Sequence, residues 1–451
     1  MNIFEELKWR GLVADCTDAN VVVEGGRVSE DNSGLWHRQN MVLYAGFDPT
    51  ADSLHVGNLV PLLALRRFQL LGHHPIALAG GATGSIGDPS GKTAERQLLT
   101  KEILDHNIAS VKLQLAKLLD FDTKQNPARL LDNATWTTPV GFLDFLRDIG
   151  KHFSVNQMIA KESVRARMED REVGISYTEF SYMLLQAFDF MVLNRDHNCE
   201  LQIGGSDQWG NITAGIELTR KKLGRQVFGL TLPLITNADG SKFGKSVSGA
   251  IWLDPKRTSG YRFYQFWINT DDRDVIRYLK YFTFLSQEEI VALEKQHTEN
   301  PGVRVAHKAL AKAATDLIHG EQATEDAINT SQAFFTGSVA ELPPQSILEA
   351  RQELPGPVVD PSQLPLNKSL IEVVVYSGLA PSKGQAKRDI ESGGIYLNDK
   401  QEKDPSRIVT EADYLLKQHL ILRKGKKNYA MISGSAPISN NSNYLPPSSV
   451  D

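Results

Sequence analysis

Two short segments, far apart in the chain, carry residue types suited to binding a polyphosphate. Residues 55–58 read His-Val-Gly-Asn, an imidazole, a glycine that lets a flat base approach, and a side-chain amide. The loop 241–246 carries Lys242 and Lys245 around Gly244. Two lysines on a loop that can close are suited to neutralising the charge that develops in phosphoryl transfer. The ordinary alternatives are a plain strand–turn–helix crossover and a solvated basic loop.

The segment 55–58 lies between a predicted strand and a predicted helix. Met41–Tyr44 is an apolar run typical of a buried strand, and Leu59–Leu71 has apolar residues at helical spacing. Pro61 fits the first turn of that helix, where its missing donor costs nothing. We therefore expect His55 just outside a helix N-terminus, where free N–H groups and the positive end of the helix dipole favour phosphate.

A polar stripe on an otherwise apolar helix forms a third candidate site. Ser176 and Glu179 make the capping-box pattern that begins a helix, which is predicted to run to about residue 192. Tyr182, Gln186 and Asp189 share one face of that helix. Buried polar groups must be satisfied. The pattern leaves two solutions open, an internal hydrogen-bond network or a small pocket for a polar ligand.

The glycine-rich turn 80–91 matches neither of the common phosphate-binding fingerprints. A P-loop ending at Gly91-Lys92 requires a glycine where Ile86 stands, and no Gly-x-Gly-x-x-Gly occurs in the turn. The turn carries one carboxylate, Asp88, which can face an ammonium group. A plain turn without a ligand is the alternative.

Apolar strand-like runs alternate with helical patterns from residue 41 to about 245. The runs lie at 75–79, 129–131 and 201–203. This alternation favours a doubly wound, Rossmann-like parallel sheet covered on both faces. Ligands of such sheets bind beyond the carboxyl ends of the strands, where the turn 80–91 and the segment 204–208 are expected to lie.

Composition excludes several classes of protein. The chain has 451 residues, a net charge of −5 and two cysteines, Cys16 and Cys199. Two cysteines make no disulfide framework and no cysteine-based metal cluster, and we predict no metal ligands. The N-terminus lacks the pattern of a secretory signal, and no run of about 18 apolar residues is present to span a membrane. A reducing, cytosol-like compartment is expected.

The pattern divides the chain into five segments. We predict a catalytic domain over 1–250, a helical domain over 251–340, a proline-rich linker over 341–365, a small α+β domain over 366–432 and a disordered tail over 433–451.

The segment 366–432 differs from the rest of the chain in charge. It holds twelve Lys and Arg against eight Asp and Glu, a net charge of +4 in an otherwise acidic chain. A helix capped by Ser382 is expected to turn Lys383, Lys387 and Arg388 outward. A small basic module on an acidic protein suggests a grip for nucleic acid, although solvated surface is the alternative.

Together these motifs resemble the bacterial-type tyrosyl-tRNA synthetases, a family of class I aminoacyl-tRNA synthetases, over nearly the whole chain. The segment 55–58 is similar to the family's HIGH element and 242–246 to its KMSKS element. The segments 44–50 and 204–211 and the stripe on the apolar helix strengthen the resemblance. The segment 366–432 is similar to the family's RNA-binding domain. Asn58 stands where other class I members have histidine, and the segment 20–40 is the least family-like.

The resemblance implies a role for each site residue. Tyr44 and Asp189 would bond the phenol of bound tyrosine. Its ammonium group would be held by Asp88, Tyr182 and Gln186, and Gln208 would lie close to the tyrosyl group. ATP would be bound by Asp48, Gly57, Asn58, Asp207, Lys242 and Lys245. The groups around the reacting phosphates would be Thr50, His55, Asn58, Lys242 and Lys245. The tRNA would contact Arg220, Lys221, Lys383, Lys387 and Arg388.

The resemblance also implies an activity. Tyrosine would attack ATP to give tyrosyl-adenylate and pyrophosphate, and then pass to the terminal adenosine of its tRNA. ATP would bring Mg²⁺ that the protein does not itself ligate, and the protein would be a cytoplasmic homodimer without a membrane segment. Phenylalanine would leave Tyr44 and Asp189 buried without a partner, an argument taken from the family, for which this selectivity is the standard example. Rival interpretations are a tryptophan enzyme, a catalytically idle RNA-binding scaffold and a P-loop kinase.

Overall fold

The computed structural model describes most of the chain. The described residues are 2–18, 34–35, 38–90, 99–161, 164–165, 168, 174–241, 243–246, 249–336, 339–425 and 428–435. They fall into two compact units. The first comprises Met1–Thr258 and Gln265–His319, and the second Ser259–Tyr264 and Gly320–Asp451.

A six-stranded sheet forms the centre of the first unit. Its strands are β1 (Asp15–Cys16), β2 (Val42–Phe47), β3 (His74–Ala79), β4 (Arg129–Asp132), β5 (Cys199–Gly205) and β6 (Phe228–Leu232). Their order is β1-β6-β5-β2-β3-β4, and all pairs are parallel except β1 with β6. The strand order reverses on either side of β2, so ligands are expected beyond the carboxyl ends of β2 and its neighbours. The predicted doubly wound sheet is confirmed.

Helices of the first unit connect and follow these strands. Up to the end of the sheet they are α1 (Ile3–Trp9), α2 (Leu59–Leu70), α3 (Lys101–Leu118), α4 (Ala134–Thr137), α5 (Phe142–Asp148), α6 (Val155–Ile159), α7 (Tyr177–His197) and α8 (Trp209–Leu223). Beyond it are α9 (Gly260–Ile268), α10 (Val275–Phe282), α11 (Gln287–Glu299) and α12 (Val305–His319), with α9 crossing from the second unit into the first. A two-stranded ribbon, β7 (Lys245–Ser246) with β8 (Gly249–Ala250), lies between the two groups.

Helix α7 is longer than predicted. Ser176 caps its N-terminus by accepting from the backbone N–H of Glu179, as expected, but the helix continues to His197 instead of ending near residue 192. Asn198 ends it in the left-handed conformation, with φ 53°. Asparagine tolerates this conformation better than most residues, so Asn198 is suited to the turn that ends the helix.

The second unit contains a smaller, mostly antiparallel sheet. The order of this sheet is β12 (Lys400–Glu402), β11 (Ile395–Leu397), β14 (His419–Lys424), β15 (Asn428–Gly434) and β9 (Val358–Val359). A two-stranded pair is formed by β10 (Lys368–Ser369) and β13 (Ile408–Val409). Its helices are α13 (Glu321–Thr336), α14 (Pro344–Glu353), α15 (Leu370–Tyr376) and α16 (Lys383–Glu391). Helices α15 and α16 share one core with β11 and β14.

The proline-rich segment 341–365 is not a bare linker. Pro344 begins helix α14, whose Ile347 packs in one core with Met431. Strand β9 then extends the sheet by pairing with β15. Proline is favoured in the first turn of a helix and at sheet edges, so clustered prolines are compatible with an ordered, packed segment.

Among the residues that the structure describes, no helix combines the length and the apolar composition that crossing a membrane requires. Cys16 and Cys199 are both free thiols. The predicted tail begins at residue 433, but Ser433 and Gly434 still belong to β15. The part of the predicted tail beyond residue 435 lies outside the described residues.

Candidate active site

Tyr44 carries an unsatisfied hydroxyl in the middle of the central sheet. It is the third residue of β2, its side chain is 1% exposed, and its ring packs 5.4 Å from that of Phe190. Its hydroxyl is buried and finds no hydrogen-bond partner among the described residues. A buried O–H without a partner costs free energy on the order of 1–3 kcal/mol, so this group marks a place prepared for an added polar atom.

Asp189 on α7 is bonded to residues that sequence reasoning missed. Its Oδ2 accepts from Asn133 Nδ2 at 2.9 Å and its Oδ1 from the Trp136 indole Nε1 at 2.8 Å. Asn133 directly follows β4, and Trp136 lies on α4. An ionised carboxylate has about four lone-pair sites, so these two bonds leave capacity for a further donor.

Burial changes the titration of both groups. Loss of hydration raises the pKa of Asp189 to about 7, against the opposing effect of its bonds from Asn133 and Trp136. Burial, followed by the negative field of Asp189, raises the pKa of Tyr44 well above its ordinary value. The pair therefore faces any guest as a neutral phenol close to a carboxyl group that ionises near pH 7.

Asp48 connects the end of β2 to the polar stripe. Its Oδ2 accepts from the Tyr182 hydroxyl at 2.7 Å, and its Oδ1 accepts from Thr83 Oγ1 at 2.7 Å. A Cβ on Gly80 would lie 2.0 Å from Asp48 Oδ1. The glycine at the start of the turn 80–91 therefore makes room for this carboxylate instead of cradling a phosphate.

A chain of amides and one carboxylate continues the stripe toward solvent. Gln208 Nε2 donates to Asp88 Oδ2 at 2.7 Å, and Gln186 Nε2 donates to Gln208 Oε1 at 3.2 Å. Gln186 Oε1 accepts from Asn211 Nδ2 at 3.0 Å. Asp88, Gln186 and Gln208 are partly exposed, whereas Tyr44 and Asp189 are buried. The site thus has a closed end with a carboxylate and an open end with amides.

The structure brings the whole stripe together, but as a satisfied network. Tyr182, Gln186 and Asp189 each have a protein partner. These bonds form the internal hydrogen-bond network that is one of the two solutions left open by the sequence. Among the residues that the structure describes, the Tyr44 hydroxyl on β2 is buried without a partner beside this stripe. Hydrogen bonds hold the acceptors in place, which reduces the reorganisation that binding requires.

His55 closes the helix N-terminus at which we expected free N–H groups. Its Nδ1 accepts from the Gly57 backbone N–H at 3.0 Å, and its own N–H donates to Asn58 Oδ1 at 3.0 Å. The reciprocal pair caps a 3₁₀ turn, Val56–Asn58, that leads into α2. A neutral ring that accepts at Nδ1 carries its hydrogen on Nε2, which makes Nε2 a hydrogen-bond donor.

Space around Gly57 explains why glycine stands there. A Cβ at this position would lie 2.8 Å from His55 Cε1. A larger residue would therefore push the imidazole out of its capping position.

The lysine loop is anchored by the residue between its lysines. The ring of Phe243 stacks 5.1 Å from that of Phe282 and meets the edge of Tyr278 at the same distance. Gly244 has φ +80°, and a Cβ on it would lie 2.8 Å from Val56 Cγ2. The loop backbone therefore runs close beside the 55–58 segment. Lys242 lies outside the described residues, and for Lys245 the structure describes the backbone of β7.

Comparison with known proteins gives this geometry its context. The family model "tRNA synthetases class I (W and Y)" matches residues 37–336, and "Tyrosine--tRNA ligase SYY-like C-terminal domain" matches residues 349–432. A tyrosine–tRNA ligase of Opitutus terrae is 56% identical over 433 residues, 96% of this chain and 99% of that protein. The chain belongs to the bacterial tyrosyl-tRNA synthetase family.

Further similar proteins carry the same family name. A tyrosine–tRNA ligase of Geobacillus kaustophilus is 53% identical over 433 residues, again 96% of this chain and 99% of that protein. Among solved structures, a truncated mitochondrial tyrosyl-tRNA synthetase of Aspergillus nidulans matches with a TM-score of 0.65 and 32% identity. The matched region covers 74% of this chain and 94% of the Aspergillus chain. The resemblance inferred from the motifs is confirmed.

The remaining candidate residues lie at the open edge of the site or on the surface. Thr50 is exposed just after β2, and Asp207 lies in a 3₁₀ turn directly after β5. On α8, Arg220 is paired with Glu217 at 2.8 Å, and Lys221 donates to the His152 carbonyl at 2.9 Å.

The raised pKa of Asp189 predicts a pH-dependent effect on stability. In the ligand-free fold this carboxyl titrates near pH 7, whereas in the unfolded chain it titrates near 4. Its contribution to stability is therefore complete below pH 4 and is lost as pH rises through 7. Asp189→Asn removes this titration.

The native protein should accordingly lose stability between pH 4 and pH 8, whereas Asp189→Asn should not. The stability of the variant minus that of the native protein, followed through their unfolding temperatures, should therefore increase over this range. The difference corresponds to a few kcal/mol, at about 1.4 kcal/mol per pKa unit. Differential scanning fluorimetry across that range measures it, with Asp105→Asn, an exposed carboxylate on α3, as the control. Parallel curves for Asp189→Asn and the native protein would contradict the assignment.

Proposed function

We infer that this protein is a tyrosine–tRNA ligase, which activates L-tyrosine with ATP and transfers it to tRNA(Tyr). The observation that carries the substrate assignment is the buried hydroxyl of Tyr44, which has no partner among the described residues and lies in the negative field of Asp189. A phenol on the substrate can donate to the carboxylate and accept from Tyr44, which satisfies both buried groups at once. An aromatic ring without a hydroxyl leaves both unsatisfied.

The open end of the site suits the amino group of the substrate. Asp88, Tyr182 and Gln186 present oxygen atoms toward this end, and hydrogen bonds to their neighbours already fix their positions. An ammonium group offers three donors, so these oxygens fit it. Tyrosine would then lie with its phenol at the closed end and its carboxylate toward the 55–58 segment.

The first step needs positioning more than acid–base chemistry. The tyrosine carboxylate is already ionised and attacks the α-phosphorus of ATP, while pyrophosphate leaves. The protein's task is to align the reactants and stabilise charge on the phosphates. His55 Nε2, Thr50 and the backbone at Gly57 and Asn58 would contact ATP, and Lys242 and Lys245 would neutralise the leaving pyrophosphate.

Mg²⁺ would arrive with ATP. Magnesium usually binds through substrate phosphates and a few carboxylates and keeps several waters. Within the described parts of the chain, no group of three potential metal ligands lies among the site residues. We therefore assign the ion to the ATP phosphates, with Asp48 and Asp207 near the nucleotide rather than as ligands of a resident metal.

The basic surface of the second unit is proposed to hold the tRNA. Lys383 pairs with Glu372 at 2.8 Å and Lys387 with Glu391 at 3.8 Å, but exposed ion pairs of this kind contribute little and exchange readily for phosphate. The guanidinium of Arg423 stacks 3.7 Å over the ring of Tyr396, which gives the sheet a flat cationic surface. Arg220 and Lys221 on α8 are proposed to contact the acceptor end.

Aminoacylation of tRNA(Tyr) with labelled tyrosine tests this assignment. We expect the triple variant Lys383→Gln, Lys387→Gln, Arg388→Gln to raise the KM for tRNA by roughly tenfold or more. The slope of log affinity against log salt concentration should fall by the amount that corresponds to the loss of about three phosphate contacts. Pyrophosphate exchange, which needs no tRNA, should be unchanged. Lys295→Gln, an exposed lysine on α11, is the control. Equal effects in the control and the triple variant would argue against a tRNA surface here.

We also propose that the protein is a homodimer. Large apolar side chains are exposed on α5, α6 and the start of α7, with Phe142 at 66%, Leu143 at 78%, Val155 at 56% and Tyr177 at 67%. These helices share one underlying core. A cluster of exposed apolar residues is typical of a protein interface.

Sedimentation or light scattering tests the dimer. The native protein should have about twice the chain mass of 50.0 kDa, and Leu143→Glu should reduce it to that of one chain, because a buried carboxylate without a partner is costly. Leu113→Glu on α3, where the leucine is also highly exposed, should leave the mass unchanged. Dissociation by both variants, or by neither, would place the interface elsewhere.

A cytoplasmic location is proposed from the cysteines. Both are unpaired, and Cys199 is fully buried, as is common in proteins of reducing compartments.

A further inference from the structure

Trp252 faces His55 across a short backbone pairing beside the proposed ATP site. The two residues form an isolated antiparallel bridge. Backbone bonds of 3.0 and 2.8 Å on either side of this pair join residues 54–56 to residues 251–253. A facing pair that such bonds flank is the non-hydrogen-bonded kind, in which side chains lie closest together. The backbone therefore brings the side chains of Trp252 and His55 next to each other.

The two rings share the outer face of this pairing. The flanking side chains are at most 4% exposed and belong to the core: Leu54, Val56, Ile251 and Leu253. Successive side chains of a strand point to opposite faces, and His55 is accordingly exposed while Trp252 is half-buried. Their ring centroids are 6.1 Å apart at an interplanar angle of 65°, a favourable edge-on arrangement.

The Trp252 ring also carries a guanidinium group. Arg257 Cζ lies 3.7 Å from the centroid of the indole ring, and a cation over an indole face is attracted to it. Arg257 Nη1 donates to Asp52 Oδ1 at 2.6 Å. The Trp252 backbone N–H donates to Thr258 Oγ1 at 3.0 Å. Four side chains therefore follow one another in contact, from Asp52 through Arg257 and Trp252 to His55.

Stability gives little reason for this row of side chains. Arg257 and Asp52 are 36% and 43% exposed, and exposed ion pairs contribute little to stability. The row ends on the imidazole of His55, whose Nδ1 accepts from the Gly57 N–H. The capping bond and the Trp252 ring both restrict rotation of the imidazole. Together they fix the direction of its Nε2 hydrogen.

We propose that Trp252 and Arg257 are positioning residues for adenylate formation, which hold the His55 imidazole toward the ATP phosphates. This inference rests on the proposed function, in which His55 Nε2 contacts ATP. The same segment reaches the lysine loop, because the Ile251 N–H donates to the Gly244 carbonyl at 3.0 Å. Displacement of a group by about 1 Å can slow a reaction by about 10²-fold, so a ring that holds the imidazole in place affects the rate.

Single-turnover formation of tyrosyl-adenylate by the full-length protein tests this role. Trp252→Leu should slow it by roughly tenfold, and Arg257→Met by about two- to fivefold, the factor expected for losing an exposed cation–π contact. The dissociation constant for tyrosine should stay within about twofold, because β2, α7 and the residues after β4 and β5 form that pocket. Trp252→Phe keeps an aromatic ring and should recover most of the rate. Arg257 is exposed, so its variant leaves the core undisturbed.

A double-mutant cycle with His55 separates positioning from damage to the fold. In a His55→Gln background, adding Trp252→Leu should slow the reaction by less than about twofold further, because its effect passes through the imidazole. Trp9→Leu is the matched control. It removes another half-buried indole that has a guanidinium nearby, that of Arg10 at 5.2 Å, and should keep the native rate.

The outcomes distinguish this inference from the proposed function. Equal slowing by Trp252→Leu with and without His55, or native rates in both Trp252→Leu and Arg257→Met, would overturn the positioning role and leave the proposed function intact. Failure of the native protein to form tyrosyl-adenylate would overturn both.

Discussion

Lys245→Ala should slow tyrosyl-adenylate formation by on the order of 10²–10³-fold, the usual effect of removing one group that stabilises transition-state charge. The dissociation constant for tyrosine should change by less than about twofold, because the tyrosine pocket is built from β2, α7 and the residues after β4 and β5. Single-turnover formation of the adenylate, followed by rapid quench, separates the two quantities.

A nearby lysine provides the control for this experiment. Lys256 is exposed and lies shortly after the β7–β8 ribbon, so Lys256→Ala removes a positive charge from the same region of sequence. Its adenylate rate should remain within about twofold of the native rate. An unchanged single-turnover rate in Lys245→Ala would refute the role assigned to that lysine.

Asp189→Asn should weaken tyrosine binding by at least about 10²-fold. The native carboxylate accepts from Asn133 and Trp136 and, in the proposed complex, from the substrate phenol. An amide offers one oxygen and two donors, so the variant cannot accept all three bonds, and a hydrogen bond to a charged group contributes about 1.5–3 kcal/mol. Equilibrium dialysis with labelled tyrosine at pH 8 measures the loss.

Tyr44→Phe is the matched test of the other half of the pair. Its hydroxyl has no partner in the part of the chain that the structure describes, so removing it should leave unfolding stability unchanged or slightly raised. Tyrosine affinity should nevertheless fall by about tenfold, and phenylalanine affinity should not. Loss of stability in this variant would show that the hydroxyl already has a structural role.

The tyrosine pocket could be predicted from sequence where the pattern was local. The strand before residue 48, the cap at Ser176 and the helical spacing of Tyr182, Gln186 and Asp189 depend on neighbours in the chain. Each was present in the structure, with β2 running three residues beyond the predicted end.

Asn133 and Trp136 were missed because their role depends on packing between distant elements. Their partner Asp189 lies on α7, more than fifty residues later in the chain. A signal existed, since Asn133 lies two residues after the predicted strand 129–131, at the sheet edge where ligands bind. The same limit applies to the polar stripe of Tyr182, Gln186 and Asp189. The sequence shows that these polar groups are buried, but which groups they bond to depends on tertiary structure.

The capping role of His55 was also beyond sequence reasoning. The motif predicted a helix N-terminus with free donors, whereas the imidazole itself accepts from the Gly57 N–H. Histidine is not among the preferred capping residues, so propensity pointed elsewhere. The prediction of a linker over 341–365 missed helix α14 for a related reason. Prolines that begin a helix look the same in sequence as prolines in a linker.

Tyrosine-dependent ATP–pyrophosphate exchange, run in parallel with tyrosine, phenylalanine and tryptophan, tests the central claim most directly. A pocket that pairs a buried hydroxyl with a carboxylate predicts rapid exchange with tyrosine and exchange lower by orders of magnitude with the other two, since neither supplies a phenol. Comparable exchange with phenylalanine or tryptophan, or none with tyrosine, would contradict it.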